Sequence, residues 1–548
     1  MQLWQRIAQR LGAMPAWHVT WSLVLLFSAW VLLDVFVFKL TGGLAQSSYD
    51  AMVRNRVLVA APDPRIVIID IDEASLARMG KEFGRWPWPR DTLATVLAHI
   101  ERQQPVAIVW DVLFADADRF SPGGDAAFNE AAGRSQHSHF SVVRLPPAND
   151  SASQLNRAAL PGLWLAAAPT PARLTTPAPA ATVALIAPVL PAVARSRLDF
   201  NNGYVDVDGV LRRYRYLEPL SDGSAIQSLP LSALSTINSV AYHAYSTGAT
   251  DRFEANNELI AWRRRADSYA RIAFADVFAQ AEGDSAGAGL PSFAGKVVII
   301  GATAPSLHDI HPTPLSPMQT GVDSLATVLD NAMNQRRLSE LPRAAQAVLA
   351  VALCVGLALW VQWRSAASLA PALLALPGAL LGVSYASLNG LPVFLDLHLA
   401  AGLALLFLTL LRYWSTLRRN QWCAPPPATQ QPLALWAWER ADAWLEGPLE
   451  RLIDILERHA PSCRVVVCDA SAAWPSNLRW PELARFAAVV GPQQALLAAR
   501  AQLEPALRRL ARPHGEPLLL DGSADRQALA FCALRAWSAL QDAASIKD

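Results

Sequence analysis

The chain has 548 residues, 52% of them hydrophobic and only 17% charged, with a formal net charge of +1. That length is too great for one hydrophobic core, and a charge so near zero excludes a general electrostatic pull toward nucleic acid. The apolar tilt implies long apolar helices, so two or more domains plus membrane segments are expected.

Residues 1–16 read as a short cytoplasmic N-terminus and 17–39 as a first transmembrane helix. The apolar run 19–38 is long enough to cross ~30 Å of hydrocarbon. Arg6 and Arg10 precede it and orient its start toward the cytoplasm. Gly43-Leu44-Ala45 offers a small-residue cleavage site, but the apolar region exceeds the ~7–15 residues of a signal peptide, which favours an uncleaved anchor. Asp34, near the outer end of this run, reads as a headgroup contact or a partner for a neighbouring side chain. Residues 44–59 read as a helix that continues the first span as a stalk.

The next stretch organises the domain. Ile66–Ile71 is an almost wholly apolar run, the pattern of a strand buried on both faces in a parallel sheet. Asp70 and Asp72, spaced i, i+2, share one face at its end, where open α/β sheets bind ligands. A helix follows from about Ala74. Trp86-Pro87-Trp88-Pro89-Arg90 is held extended by its prolines, which fixes two indoles and a guanidinium. A plainer reading has the tryptophans filling the core and the aspartates capping a helix. Residues 91–103 carry a helical stripe (Leu93, Val96, Leu97, Ile100), with Asp91 as a candidate cap. Residues 106–110 form a second buried strand ending in Asp111. This strand–helix–strand rhythm predicts an α/β domain with a mostly parallel central sheet.

Helix is expected over 125–133 and strand over 140–145. The Pro- and Ala-rich stretch 146–181 reads as loop around a short strand at 163–168. In 201–216, Asp208-Gly209 between alternating runs signals a hairpin, Asp206 and Asp208 read as turn formers, and Arg212 and Arg213 follow. Residues 228–245 read as one helix with Leu231, Leu234 and Ile237 inward. Strands are expected at 258–262 and 270–274, with Arg263–Arg265 as a solvated turn. Residues 283–289 read as a flexible loop. Residues 295–301 form the third clear buried strand, ending at Gly301, followed by Asp309, Thr313-Pro314 and a helix over 322–334.

Three further apolar runs, about 344–361, 369–388 and 393–411, read as transmembrane helices. Pro377 is expected to kink the middle one, where Gly378 and Gly382 permit close packing. Arg364 marks the first connector, the second has no Lys or Arg, and Arg412, Arg418 and Arg419 follow the last run. The positive-inside rule therefore puts both termini inside and residues 40–342 outside. None of the five cysteines (Cys354, Cys423, Cys463, Cys468, Cys532) falls in that outer region, which suits an exported domain. Residues 413–432 read as a basic flank and Pro-rich linker. Residues 433–548 read as a small cytoplasmic α/β domain: helix over 436–459, strands at 463–469, 486–491 and 517–520, helices over 493–511 and 525–544.

Together these elements resemble the CHASE2 family of extracytoplasmic sensor domains in bacterial membrane receptors. The matching residues are Tyr49-Asp50 with Arg54, IVIIDIDEASL at 66–76, WPWPR at 86–90, DVLF at 111–114, DVDGVLRR at 206–213, GKVVIIGATA at 295–304, Asp309, Thr313-Pro314 and Gly321-Val322. Three transmembrane helices behind the domain also look like that family's layout. The resemblance implies ligand sensing, names no ligand and transfers no residue as a contact. Such receptors normally carry a kinase or cyclase behind those helices. Here the tail has no kinase motif set, no P-loop and no cyclase signature.

Catalysis fits poorly. Asp70-x-Asp72 is similar to the haloacid-dehalogenase phosphatase pattern, but Ala74 stands where that pattern wants Thr or Ser. His308, Asp309 and His311 could be metal ligands, yet Pro312 and Pro314 restrict their loop, and a polar surface loop is the simpler reading. His137 and His139 read as exposed. No cofactor and no enzymatic activity are expected. The candidate ligand pocket comprises Asp70, Asp72, Trp86, Trp88, Arg90 and Asp111. Asp208, Gly209, Arg212, Arg213, Gly301 and Asp309 are motif residues of structural role. Two functions remain: an inner-membrane sensor, homodimeric or part of a larger complex, that relays a periplasmic ligand or partner to a cytoplasmic one; or a non-enzymatic assembly subunit that uses the domain as a docking surface. Apart from such a ligand or protein, membrane lipid is the partner expected, and nucleic acid is not.

Overall fold

The computed structural model of the chain describes residues 14–38, 42–119, 121–163, 165–167, 182–220, 224–247, 258–263, 269–284, 289–307, 309–363, 371–423, 433–439, 446–467, 486–510 and 518–521. Arg6, Arg10, Arg264, Arg265, His308, Arg364, residues 424–432, Cys468, Cys532 and the helix expected over 525–544 lie outside them. The chain divides into two compact units: residues 40–343 with 382–396, and the rest.

The first unit is the αβ domain. Its sheet is built on six parallel strands: β1 (Ile66–Ile71), β2 (Ala107–Trp110), β3 (Ser138–Arg144), β4 (Arg197–Phe200), β5 (Ala270–Ala273) and β6 (Val297–Ala302). Their spatial order is β5-β1-β6-β2-β3-β4. A short strand, Leu185–Ile186, pairs antiparallel with the end of β3. β1 is buried along its whole length, as its unbroken apolar run requires.

Alternation along each strand sorts side chains to two cores. Val67, Ile69, Ile71, Ile108, Trp110, Val298 and Ile300 face one layer, formed by α2 (Glu73–Phe83), α3 (Arg90–Glu101), α4 (Pro122–Arg134) and α7 (Phe274–Glu282). Ile66, Ile68, Ala107, Val109, Val297 and Ile299 face the other, formed by α1 (Gly42–Arg54), α5 (Leu229–Ile237), α6 (Ser239–Thr247) and α8 (Gly321–Met333). α8 is buried at every residue from Val322 to Met333.

Several expectations need correction. α1 does not leave the domain as a stalk: Tyr49, Asp50 and Val53 are buried within it. The helix expected over 228–245 breaks at Asn238, whose Oδ1 accepts the Ala241 N–H at 3.1 Å and starts a second helix. The turn at 206–210 closes through Asp206 and Val210, but among the described residues no hairpin ladder flanks it; Arg213–Tyr214 pairs instead with Glu258–Leu259. Arg263 is not in a solvated turn. It is buried and ion-paired to the fully buried Asp330, with the Tyr269 hydroxyl beside both. His139 is also fully buried, with Nδ1 3.0 Å from Ser232 Oγ, and burial lowers its pKa to about 3. His137 stays partly exposed against Glu101.

The αβ domain also takes in residues 382–396, the last turns of the third apolar helix and most of the connector to the fourth. Ser339–Glu340 pairs in parallel with Val393–Phe394, and Leu388 and Phe394 are buried in the α1/α8 core. Asn389 Oδ1 accepts the Val57 and Leu58 N–H groups, both at 3.1 Å, and Tyr385 Oη donates to the Asn55 carbonyl at 2.6 Å.

The second unit holds most of the apolar helices. Among the described residues four helices are long and apolar enough to cross a membrane: Trp17–Phe38, Arg343–Val361, Ala372–Gly390 and His398–Trp422. Val24, Phe27 and Val31 of the first pack with Ala350, Cys354 and Ala358 of the second and Leu403, Phe407 and Leu411 of the fourth. Asp34 is buried, in a π-helical turn over Asp34–Phe38 that ends the first. The fourth runs on to Trp422, into the expected linker. Beyond it lies a four-stranded antiparallel sheet in the order Arg464–Val467, Phe486–Pro492, Leu433–Glu439, Leu518–Asp521. Residues 433–439 are therefore strand, not the start of a helix; their alternation buries Trp436, and the helix is Glu446–His459. The helix expected over 493–511 is two, Gln493–Ala498 and Arg500–Leu510. Arg418, in the last turns of the fourth apolar helix, is buried and binds Asp454 at 2.7 Å and Glu457 at 2.5 Å, while Ser415 donates to Glu450.

Candidate site at the carboxyl edge of the sheet

The sheet divides the six candidate pocket residues. Asp70 and Asp111 follow the even–odd register that faces α8, whereas Trp88 is buried in the opposite core, 5.2 Å from the Phe274 ring. Trp86 packs edge-on against Trp88 at 5.0 Å. Arg90 opens α3, binds Asp125 at 2.5 Å and lies 5.6 Å from the Phe114 ring. Asp72 caps α2, its Oδ1 accepting the Ser75 N–H at 2.7 Å. For these four residues the geometry is that of core and capping. Asp70 and Asp111 are brought together on one face, one on either side of Gly301 at the end of β6.

On the β1 side, Asp70 accepts from Thr303 Oγ1 at 2.6 Å and from Arg271 Nη1 at 3.1 Å. Arg271 also pairs with Asp323 in the first turn of α8. Burial raises the Asp323 pKa, and the Thr320 hydroxyl and Arg271 oppose that rise. On the β2 side, Asp111 Oδ1 accepts from Asn201 Nδ2 at 2.7 Å, while its Oδ2 is shut off from solvent with no hydrogen-bond partner among the described residues. Burial, with Asp309 close by, pushes Asp111 up to about 7. His311 Nε2 lies 3.4 Å from Asp309 Oδ1, and that contact raises the imidazole pKa. Gly321 opens α8 against the Asp309 carboxylate, where a Cβ would collide. Gly301 likewise leaves room for Val322 and the Asp111 side chain.

This edge offers acceptors (Asp70, Asp111, Asp309), a guanidinium and a ring of hydroxyl and amide donors. Arg271, Thr303, Asn201 and Asp323 were not among the candidates. Arg271 was detectable as the one charge in the otherwise apolar strand ARIA, and Thr303 lay within the quoted motif GKVVIIGATA; Asn201 and Asp323 carried no signal beyond following a strand or opening a helix. Among the described residues no group of three His, Cys, Asp or Glu is placed to hold a metal ion.

The motif residues outside the edge converge on one ion-pair network. Arg212, 2% exposed, grips Asp50 of α1 with Nε and Nη2 at 2.8 and 2.7 Å. It also reaches Asp208 at 2.8 and 2.7 Å and Asp206 at 3.0 Å. These bonds raise the Arg212 pKa against the opposing effect of burial, and lower that of Asp208. Gly209, at φ +82°, supplies the left-handed residue that closes the turn. Arg213 joins Asp206 to Glu340, both at 2.7 Å, and Glu340 sits three residues before the second apolar helix begins at Arg343. Arg54 Nε donates to the Pro314 carbonyl at 2.8 Å. Motifs scattered from residue 49 to 314 thus meet around α1.

A family model described as CHASE2 domain fits residues 22–361, from within the first apolar helix to the end of the second. No curated protein and no solved structure matches the chain. The fitted span covers more than half of the sequence and contains the sheet, its carboxyl edge and the Arg212 network; the chain belongs to the CHASE2 family of sensor domains.

Proposed function

We propose that the protein is a non-enzymatic inner-membrane receptor whose αβ domain, outside the cytoplasm, binds a ligand at the carboxyl edge of its sheet. The site is the ground between Asp70 and Asp111, and the signal passes to a cytoplasmic partner through the fourth apolar helix. The observation that carries this reading is the inclusion of residues 382–396 in the αβ domain. The segment that starts the fourth helix is part of the domain's own fold, and Arg418 at its far end is ion-paired to the C-terminal module. A ligand that favours one arrangement of the edge over another therefore has a covalent route to that module. The lack of Lys and Arg in the second connector, and the arginines after the last helix, support a cytoplasmic location for both termini. The absence of kinase and cyclase motifs in the sequence beyond residue 433 supports relay to a separate protein, and the receptor acts as a homodimer or within a larger complex.

The test is to purify the intact protein from native membranes in mild detergent and identify what it carries, beside an Asp70→Asn/Asp111→Asn variant. A small molecule recovered from the wild type and lost from the variant supports the reading. Equal recovery from both removes the site. Recovery of envelope-building proteins with no small molecule replaces the receptor with the assembly subunit.

A further inference from the structure

We infer that α1 is an interfacial helix: it lies along the membrane surface and contacts lipid with its outer face. Both of its ends are fixed at the ends of apolar helices. Gly42 follows Phe38, the last residue of the first membrane helix, by four positions, a reach of at most ~15 Å. Just past the other end, the Asn55 carbonyl is held by Tyr385 and the Val57 and Leu58 amides by Asn389, in the last two turns of the Ala372–Gly390 helix. A 13-residue helix is ~20 Å long. One end is tethered through three residues to the first membrane helix and the other is bonded to the last turns of the Ala372–Gly390 helix, a pair of constraints that an axis along the bilayer satisfies.

Its two faces differ accordingly. Tyr49, Asp50 and Val53 are buried in the domain. The outward face carries Leu44, Ser47 and Ala51 and no charge until Arg54, which is turned to the Pro314 carbonyl. Leu44 is 75% exposed, and past Arg54, Asn55 and Arg56 the exposed apolar residues resume with Val57 (72%), Leu58 (63%) and Leu391 (53%). Val207 stands fully exposed at the tip of the 206–210 turn, and that turn is tied to the first turns of α1 by Gln46 and Asp206. The helix α2, on the far side of the sheet, shows the contrast: Glu73, Arg78, Lys81 and Glu82 face water there. Large exposed apolar side chains at both ends of the helix call for a covering, and here the covering already adjoins those ends. Burial of such a face ~5–10 Å into the headgroup region is the ordinary mode of an interfacial helix.

The experiment uses the full chain in lipid nanodiscs, one copy per disc. Its native cysteines are replaced by alanine and a nitroxide is placed through Leu44→Cys, Leu58→Cys or Val207→Cys, with Glu82→Cys as the water-facing reference. Power saturation compares accessibility to oxygen and to a nickel chelate. The expected result is an oxygen-to-nickel ratio several-fold above that at Glu82. Free access to the nickel chelate would overturn the inference by showing water. Poor access to both reagents would overturn it by showing protein, a second copy included. Should the cysteine-free chain not fold, the unmodified protein is photolabelled in discs by a phospholipid with a diazirine at headgroup level. Adducts within residues 42–58 and at 205–208, and none within 73–83, are expected; no adduct on the first two segments refutes it.

Discussion

Arg212→Ala is the sharpest perturbation of the fold that holds the edge and α1 together. Arg212 and Asp50 are 2% and 6% exposed, and the guanidinium supplies both of the hydrogen bonds drawn to the Asp50 carboxylate. The other two acids are cushioned: Asp206 keeps Arg213, and the Asp208 side chain is 41% exposed and hydrates. The loss therefore concentrates on one orphaned buried carboxylate, the situation in which removing a partner costs about 3–5 kcal/mol. For a domain of this size each kcal/mol moves the melting temperature by about 2 °C, so the αβ transition should fall by about 6–10 °C. Calorimetry of the full chain in nanodiscs would follow it. Arg212→Lys keeps the charge but not the two-pronged grip, and should fall between. Adding Asp50→Asn to an Arg212→Gln chain should cost less than the two single losses summed, because each single leaves the other group stranded. A drop under about 2 °C in Arg212→Ala, or strict additivity in the double variant, would refute the idea that the network acts as a unit.

Other outcomes are equally specific. The folded state holds a proton on Asp111 up to about pH 7 that the unfolded chain, titrating near ~3.9, has released, so this group's contribution to stability falls as pH rises from about 4 to about 7. His139, lowered to about 3 from an unfolded value near ~6.5, contributes fully above about pH 6.5 and loses that contribution as pH falls. Between about pH 4 and 7, melting temperature should therefore rise more steeply in Asp111→Asn than in the wild type and less steeply in His139→Gln; identical slopes would exclude both assignments. Gly321→Ala drives a Cβ into the Asp309 carboxylate and should cost about 1–3 kcal/mol, partly recovered when Asp309→Ala is added; failure of that recovery in chemical denaturation would place the cost elsewhere. Asn389→Ala removes the acceptor for two N–H groups, so hydrogen exchange at Val57 and Leu58 should quicken while β1 amides stay protected.

The carboxyl edge shows how far local sequence reaches. Asp70 and Asp111 were recognisable because each ends an apolar run, and strand ends are where such sheets bind. What no local pattern reveals is strand order. β6, the last of these six strands in the chain, inserts between β1 and β2, and so Gly301 becomes a neighbour of both acids and Thr303 a partner of Asp70. The Trp86–Arg90 segment was grouped in the same pocket as lying at the strand ends, yet the sheet stands between it and Asp70. Arg263 and His139 were misjudged for a related reason: polarity suggests solvent, and only the tertiary fold shows that Asp330 and Ser232 are waiting inside.

Hydropathy and periodicity by themselves determined four apolar helices and a mostly parallel αβ domain between the first and second, while the motifs in their order carried the resemblance to the CHASE2 family. These are properties of contiguous residues, where burial is written as a run or a repeat. Only the tertiary structure decided that Asp50, Arg212 and Glu340 form one network, that residues 382–396 belong to the αβ domain, and that α1 is part of its core. Those facts depend on pairings hundreds of residues apart, and a charge in sequence does not reveal whether its partner will be water or another side chain.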